Sequence, residues 1–167
     1  INIMPYYWGS IAVDMIKDVC LHEFYHILTP KNLHSQHIGN FNYVWPVMSK
    51  HLWLYEGITE YFAGISQVKG GVISPYEYLS GILRGKIISA RSYPEDEMSF
   101  TEMSENVLEK PWSKHYGQVY ERGALLGALL DIEIMRLTNG EKTLKDVILT
   151  LSERYGKEKS FDEETFF

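Results

Sequence analysis

Positive charge, cysteine and long apolar runs are all scarce in this chain, and each scarcity removes a class of function. Sixteen Lys and Arg stand against twenty-two Asp and Glu, a net charge of −6. Such a balance repels phosphate, which excludes nucleic acid and anionic membrane surfaces as main partners. A single cysteine, Cys20, cannot build an internal disulfide framework. It reads as a small buried residue on the first helix. No apolar stretch supplies the roughly 20 residues of a transmembrane helix, and the start lacks the layout of a secretory signal. The chain opens on Ile1 rather than methionine, which points to a segment of a longer polypeptide. The compartment is therefore left open, an extracytoplasmic one (periplasmic or cell-surface) included. What is present suits one folded domain over residues 1–167, with 45% hydrophobic residues to fill a core.

Strand alternation is also missing, so the expected fold class is mainly α. After a start signal at Gly9-Ser10, Val13, Ile16, Cys20, Phe24 and Ile27 recur at helical spacing. Pro30 ends that helix. Thr29 to Met48, broken by Gly39-Asn40, Asn42 and Pro46, reads as a connection long enough to suggest function. A second helix is expected from about Ser49 to Val68, stopping at Gly70-Gly71. A third starts with Ser74 as N-cap, Pro75 at the first helical position and Glu77 closing a capping box, and runs to about Ala90. Pro94 to Trp112 is polar, acidic and irregular, a candidate cover for a cleft. The fourth helix spans about Tyr116 to Leu137 and ends at Asn139-Gly140; Gly123, Ala124, Gly127 and Ala128 would let neighbours approach closely. Thr143 and Asp146 begin a fifth that ends near Gly156. Ser160-Phe161-Asp162-Glu163 begins a sixth. No internal repeat or low-complexity segment is present.

One run on this helical background carries chemistry: His22-Glu23-Phe24-Tyr25-His26. Histidines at i and i+4 leave one helix face about one turn apart, so both imidazoles can reach one metal ion. Glu23 lies beside that face, where it can take a proton from water held there. With this His and Glu content the pattern would arise by chance in roughly 2 of 100 chains. A hydrolytic zinc site keeps three protein ligands, so another segment must supply the third. The stretch Trp53 to Tyr61 offers Glu56, thirty positions past His26, far enough for the chain to form a loop and return. Its neighbours Leu52, Trp53, Tyr55 and Ile58 are unusual for a solvated glutamate, and a buried carboxylate needs a partner such as a metal. Glu60, at i+4, shares that face. It is a candidate acceptor for the second ring N–H of a zinc-bound histidine, His22; a surface glutamate is the alternative, and burial decides between them. His34 and His37 imitate a metal pair without further ligands in register and read as polar loop residues. His51 reads as the start of the second helix, and His115 is left open as a cleft-rim residue. Trp45, Trp53, Tyr55, Tyr61 and Phe62 read as packing.

Together with Leu52 to Tyr61 and Tyr120-Glu121-Arg122-Gly123-Ala124, the histidine motif resembles the glycyl aminopeptidase family of gluzincin metallopeptidases. That family is related to the catalytic core of aminopeptidase N and leukotriene A4 hydrolase, and more distantly to thermolysin. The resemblance runs from about Trp8 to the end of the chain. It implies a helical, thermolysin-like catalytic lobe with Zn2+ as cofactor, His22, His26 and Glu56 as ligands and Glu23 as general base. It implies that Tyr120 stabilises the tetrahedral intermediate, with Tyr116 one turn earlier as the rival. The implied activity is that of a zinc-dependent metallopeptidase, an aminopeptidase acting on peptide substrates with a free N-terminus. The alternatives are a zinc-binding module that is inactive alone, and a helical interaction module whose pattern is coincidental.

Two departures from the family pattern stand out. Many members carry a tryptophan two residues after the second histidine, followed by a basic stretch; here Leu28, Thr29-Pro30 and Lys31 stand instead, which puts the local pocket shape in question. The related aminopeptidases also have an upstream Gly-rich segment whose glutamate helps bind the substrate amine, within a β-rich lobe. Ile1 to Gly9 contain no acidic residue. The expectation is a helical lobe on which a β lobe of the same polypeptide packs.

Overall fold

The computed structural model describes residues 4–94 and 97–166, with side chains of the first helix from Ala12 onward. Among these residues the elements are helices: α1 (Met4–Tyr25), α2 (Gln36–Gly39), α3 (Ile58–Lys69), α4 (Pro75–Glu77), α5 (Arg84–Ala90), α6 (Phe100–Glu105), α7 (Gln118–Leu137) and α8 (Leu144–Tyr155). Two π-helical segments, Trp53–Gly57 and Tyr78–Leu83, lead into α3 and α5, and a 3₁₀ turn, Trp112–His115, precedes α7. The only β feature among the described residues is a parallel bridge between Ser35 and Phe161. No described helix is long and apolar enough to cross a membrane. The mainly α expectation holds.

Local chemistry places several boundaries as expected. The Ser74 hydroxyl accepts from the Glu77 N–H while the Glu77 carboxylate accepts from the Ser74 N–H, the complete capping box. The Asp146 carboxylate reaches back to the Thr143 N–H at the start of α8. Asn139 and Gly140 both take positive φ, 51° and 83°, and turn the chain out of α7.

The core lies between the first π turn, α3, α7 and α8, where Leu54, Ile58, Val119 and Ile148 are almost fully buried. Each such side chain contributes about 1.5–3 kcal/mol by leaving water. The central crossing depends on two glycines. A Cβ on Gly123 of α7 would lie 2.8 Å from the Gly57 Cα, so only hydrogen fits where α7 crosses the π turn. Farther along, the Tyr61 hydroxyl donates to Asp131 while that carboxylate also accepts the Leu144 N–H, tying α3, α7 and α8 around one buried acid.

Several expectations need correction. Val13, Ile16, Cys20, Phe24 and Ile27 do form one strip, but all are exposed; Ile16 is 61% accessible. The periodicity identified the shared face, while α1 packs on α3 through another, where Tyr25 meets Phe62 and Asp18 accepts from the Gln67 amide. α1 is already helical at Met4, ahead of the Gly9-Ser10 signal. The 29–48 connection is partly structured: it carries α2 and fully buries Leu33 and Ser35. The Pro94–Trp112 stretch, expected as cover for a cleft, contributes to the core through its helix α6, which buries Met103 completely. Trp45 is 77% exposed and packs on nothing that would class it with Tyr55, Tyr61 and Phe62, which are buried. No sixth helix starts at Ser160. The Asp162 carboxylate accepts the Glu164 and Thr165 N–H groups in a local turn, and Phe161 stacks on Phe166 inside the core.

Candidate metal centre

His22 occupies the last turn of α1, and His26 follows just past its end, where Ile27 and Leu28 tighten the chain with i−3 hydrogen bonds. Both rings still leave the same side, 4.8 Å apart between centroids and edge to face. The π turn delivers Glu56 from the opposite wall. Its Oε2 lies 3.2 Å from His22 Nε2 and 3.6 Å from His26 Nε2, so two imidazole nitrogens and one carboxylate oxygen converge on a common point. A π turn widens the backbone and often marks a functional position; here Glu56 sits within it.

The far nitrogen of each ring is also committed. His22 Nδ1 lies 2.9 Å from Glu60 Oε2, and His26 Nδ1 lies 2.9 Å from the Thr29 carbonyl oxygen. These acceptors hold a proton on each Nδ1, so that the Nε2 atoms facing Glu56 are the ones that can give up a proton and offer a lone pair to a metal. Thr29 is fully buried, and its hydroxyl donates to the Leu54 carbonyl in the π turn and contacts Thr59. A position that looked like a departure from the family pattern thus connects His26 to the segment carrying Glu56. Glu60 is half-buried and engaged, which decides against the surface alternative for it.

Electrostatics favour positive charge at this point. Burial disfavours a charged His22 ring, but hydrogen bonds to Glu56 and Glu60 outweigh it and raise its pKa to about 9. Burial likewise opposes an ionised Glu60, yet His22 and Lys86 overcome it and bring that carboxyl down to about 2. Glu23 is exposed, and its carboxylate belongs with the two histidines to a group whose ligand atoms lie within 4.8 Å of one another. Both Nε2 atoms also converge on Glu56, which makes Glu56 a candidate third ligand beside Glu23.

A cavity of about 410 Å³ is lined by Asp18, Val19, His22, Glu23, His26, Glu56, Glu60 and Tyr120. Tyr120 rises from the first turn of α7, its ring 5.6 Å from that of His22. Burial, the Tyr116 hydroxyl and the nearby Glu56 charge all push its pKa upward, so it stays a protonated donor. Tyr116 lies outside that lining and meets the Tyr120 hydroxyl at 3.0 Å. The other histidines are elsewhere. His34 is a loop residue as expected, buried with its ring bonded to the Pro30 carbonyl at 2.7 Å. His51 is buried beside Glu163, and His115 lines a separate cavity with Ser92 and Gln118.

Sequence reasoning missed Lys86 and Glu121. The ammonium of Lys86 on α5 is buried, 2.7 Å from Glu60 Oε1 and 3.5 Å from Glu121 Oε1. Its signal was its spacing: Lys86 lies one turn from both Ile82 and Ala90, on the inward face.

The family model of M61 glycyl aminopeptidases matches residues 15–126, which include the histidine motif, Glu56 and Tyr120. The crystal structure of an aminopeptidase N family protein from Idiomarina loihiensis shares the fold, with a TM-score of 0.78 at 24% identity. The match covers 90% of this chain and 27% of that one, so the chain spans about a quarter of that protein's length. No curated protein matches.

Proposed function

Because the chain belongs to the M61 glycyl aminopeptidase family, we propose that it carries the zinc centre of a metallopeptidase that acts as an aminopeptidase. The observation that carries this reading is the convergence of His22 Nε2, His26 Nε2 and Glu56 Oε2, with both Nδ1 atoms held by acceptors. Two imidazoles and one carboxylate are a donor set suited to a hydrolytic zinc site. The residues present fit the ion: His22, His26 and Glu56 would hold it, and Glu60 would orient His22. Bound zinc supplies Lewis acidity and brings the pKa of a coordinated water toward ~7.

The chain's own groups supply the remainder. Glu23 accepts a proton from the attacking water as oxygen adds to the scissile carbonyl carbon, and returns it to the amine as the C–N bond breaks. The Tyr120 hydroxyl, protonated at neutral pH, donates to the carbonyl oxygen as negative charge develops there. Substrates in this proposal are peptides with a free N-terminus. The apolar strip of α1 is the surface on which a β-rich lobe of the same polypeptide would pack.

Replacing Glu23 with Gln separates binding from turnover. Zinc content should stay stoichiometric while hydrolysis of aminoacyl p-nitroanilides falls at least about 100-fold, the scale of a lost general base. Unchanged hydrolysis would remove Glu23 from the mechanism. The second reading, a zinc-binding module inactive by itself, is favoured by the short coverage of the relative; it requires stoichiometric zinc with no hydrolysis in the unsubstituted chain.

A further inference from the structure

We propose that Lys86 is a positioning residue of the metal centre, acting on His22 through Glu60. This rests on the zinc reading above. The geometry is a relay across separate helices. Lys86 Nζ donates to Glu60 Oε1 at 2.7 Å, and the other oxygen of that carboxylate meets His22 Nδ1 at 2.9 Å. A second carboxylate, Glu121 on α7, lies 3.5 Å from the same ammonium and adjoins Tyr120 in sequence.

A buried ammonium is costly unless paired, and two acids from α3 and α7 pair this one. The consequence for Glu60 is directional. With one oxygen fixed on Lys86, rotation of the carboxylate is stopped and the other oxygen stays aimed at the imidazole. Without Lys86, Glu60 could turn toward an adjoining cavity of about 290 Å³, which Glu60, Gly85, Lys86 and Glu121 help to line. His22 would then lose the acceptor that fixes its tautomer and ring plane. Partners of this outer kind typically contribute 10–100-fold to metal affinity. Lysine suits the position because a compact ammonium with three donors can serve two carboxylates from different helices.

The test measures zinc affinity of the whole chain by competition with a chromogenic chelator. Lys86→Met keeps the bulk and removes the charge; affinity should fall about 10–100-fold. Wild-type affinity in this variant overturns the proposal. Lys86→Ala opens space next to the cavity, and ethylammonium should restore zinc affinity there, whereas tetramethylammonium, which has no N–H to donate, should not. A purely space-filling lysine would show no such selectivity. Failure of ethylammonium to recover any affinity in folded Lys86→Ala, judged by far-UV circular dichroism, also overturns it. Absence of stoichiometric zinc from the unsubstituted chain would sink the zinc reading itself, a different outcome from wild-type affinity in Lys86→Met.

Discussion

The two walls of the candidate metal centre are held in place by different physics. On the Glu56 wall the π turn, α3 and α7 meet through packing so close that Gly57 and Gly123 touch backbone to backbone. On the histidine wall α1 makes a ring contact, Tyr25 on Phe62, and is otherwise held by individual polar contacts, His22 to Glu60, Asp18 to Gln67 and the Thr29 turn, while its outer strip faces solvent. A packed crossing leaves one allowed spacing, so Glu56 and Tyr120 are set by the fold. Polar tethers fix direction, so the histidine rings are set by their acceptors. Steric change should therefore damage the first wall most, charge the second, and neither should matter on the outer strip.

The largest effect is expected at the crossing. Gly123→Val places atoms where the Gly57 Cα already lies within 2.8 Å of a would-be Cβ. The cost should reach about 3 kcal/mol, the upper range for overpacking, well above the gain from replacing a helical glycine, which for valine is less than about 1 kcal/mol. Thermal unfolding of the metal-free chain checks this, and an unchanged Tm would show that the crossing tolerates separation. Zinc affinity should fall with it, since Glu56 moves with the π turn.

That contrast also explains what the sequence disclosed. Candidate site positions were legible because their types are rare in such settings: paired histidines at i and i+4, and Glu56 and Glu60 among apolar residues. Caps at Ser74 and Thr143 were legible because they act within a few residues. The π turns were hidden because an i+5 hydrogen bond imposes no distinctive residue pattern. Lys86 was hidden because its partners lie 26 and 35 positions away. The α1 strip misled because helical periodicity reports that apolar residues share a face, and says nothing about what covers it. At Ser160 the capping pattern was present, but burial of Phe161 and the Asp162 turn prevailed.

The polar wall should respond to pH in a way the packed wall does not. In the metal-free chain the His22 pKa stands at about 9 against an ordinary 6.5. A raised folded-state value contributes stability that is fully present below the unfolded value and is lost as pH rises through the folded one. Metal-free protein held in chelator should therefore be more stable near pH 6 than near pH 9.5, by on the order of 1–3 kcal/mol. Glu60, lowered from 4.5 to about 2, has the opposite sign: its contribution is present above its unfolded value and is lost as pH falls through about 2. Denaturant midpoints at pH 6 and pH 9.5 measure the first window. His22→Gln should flatten it, and a slope surviving in that variant would place the titrating group elsewhere.

The smallest effect belongs on the outer strip of α1, and it sharpens the comparison because it tests the same helix from its other side. Ile16 is 61% exposed, two turns or less from His22, and points away from the packed interior. Exposed substitutions away from caps, cores and charged networks usually change stability by no more than about 0.5 kcal/mol. Ile16→Gln, chosen to add no charge near Asp18, should therefore leave the Tm and the zinc affinity of this chain essentially unchanged. A markedly lower Tm would mean that the strip is packed within this chain, and the division into a sterically fixed wall and a polar one would fail. An unchanged Tm, with lower solubility in the unsubstituted chain than in Ile16→Gln, would identify the strip as apolar surface that costs the chain solubility without contributing to its fold.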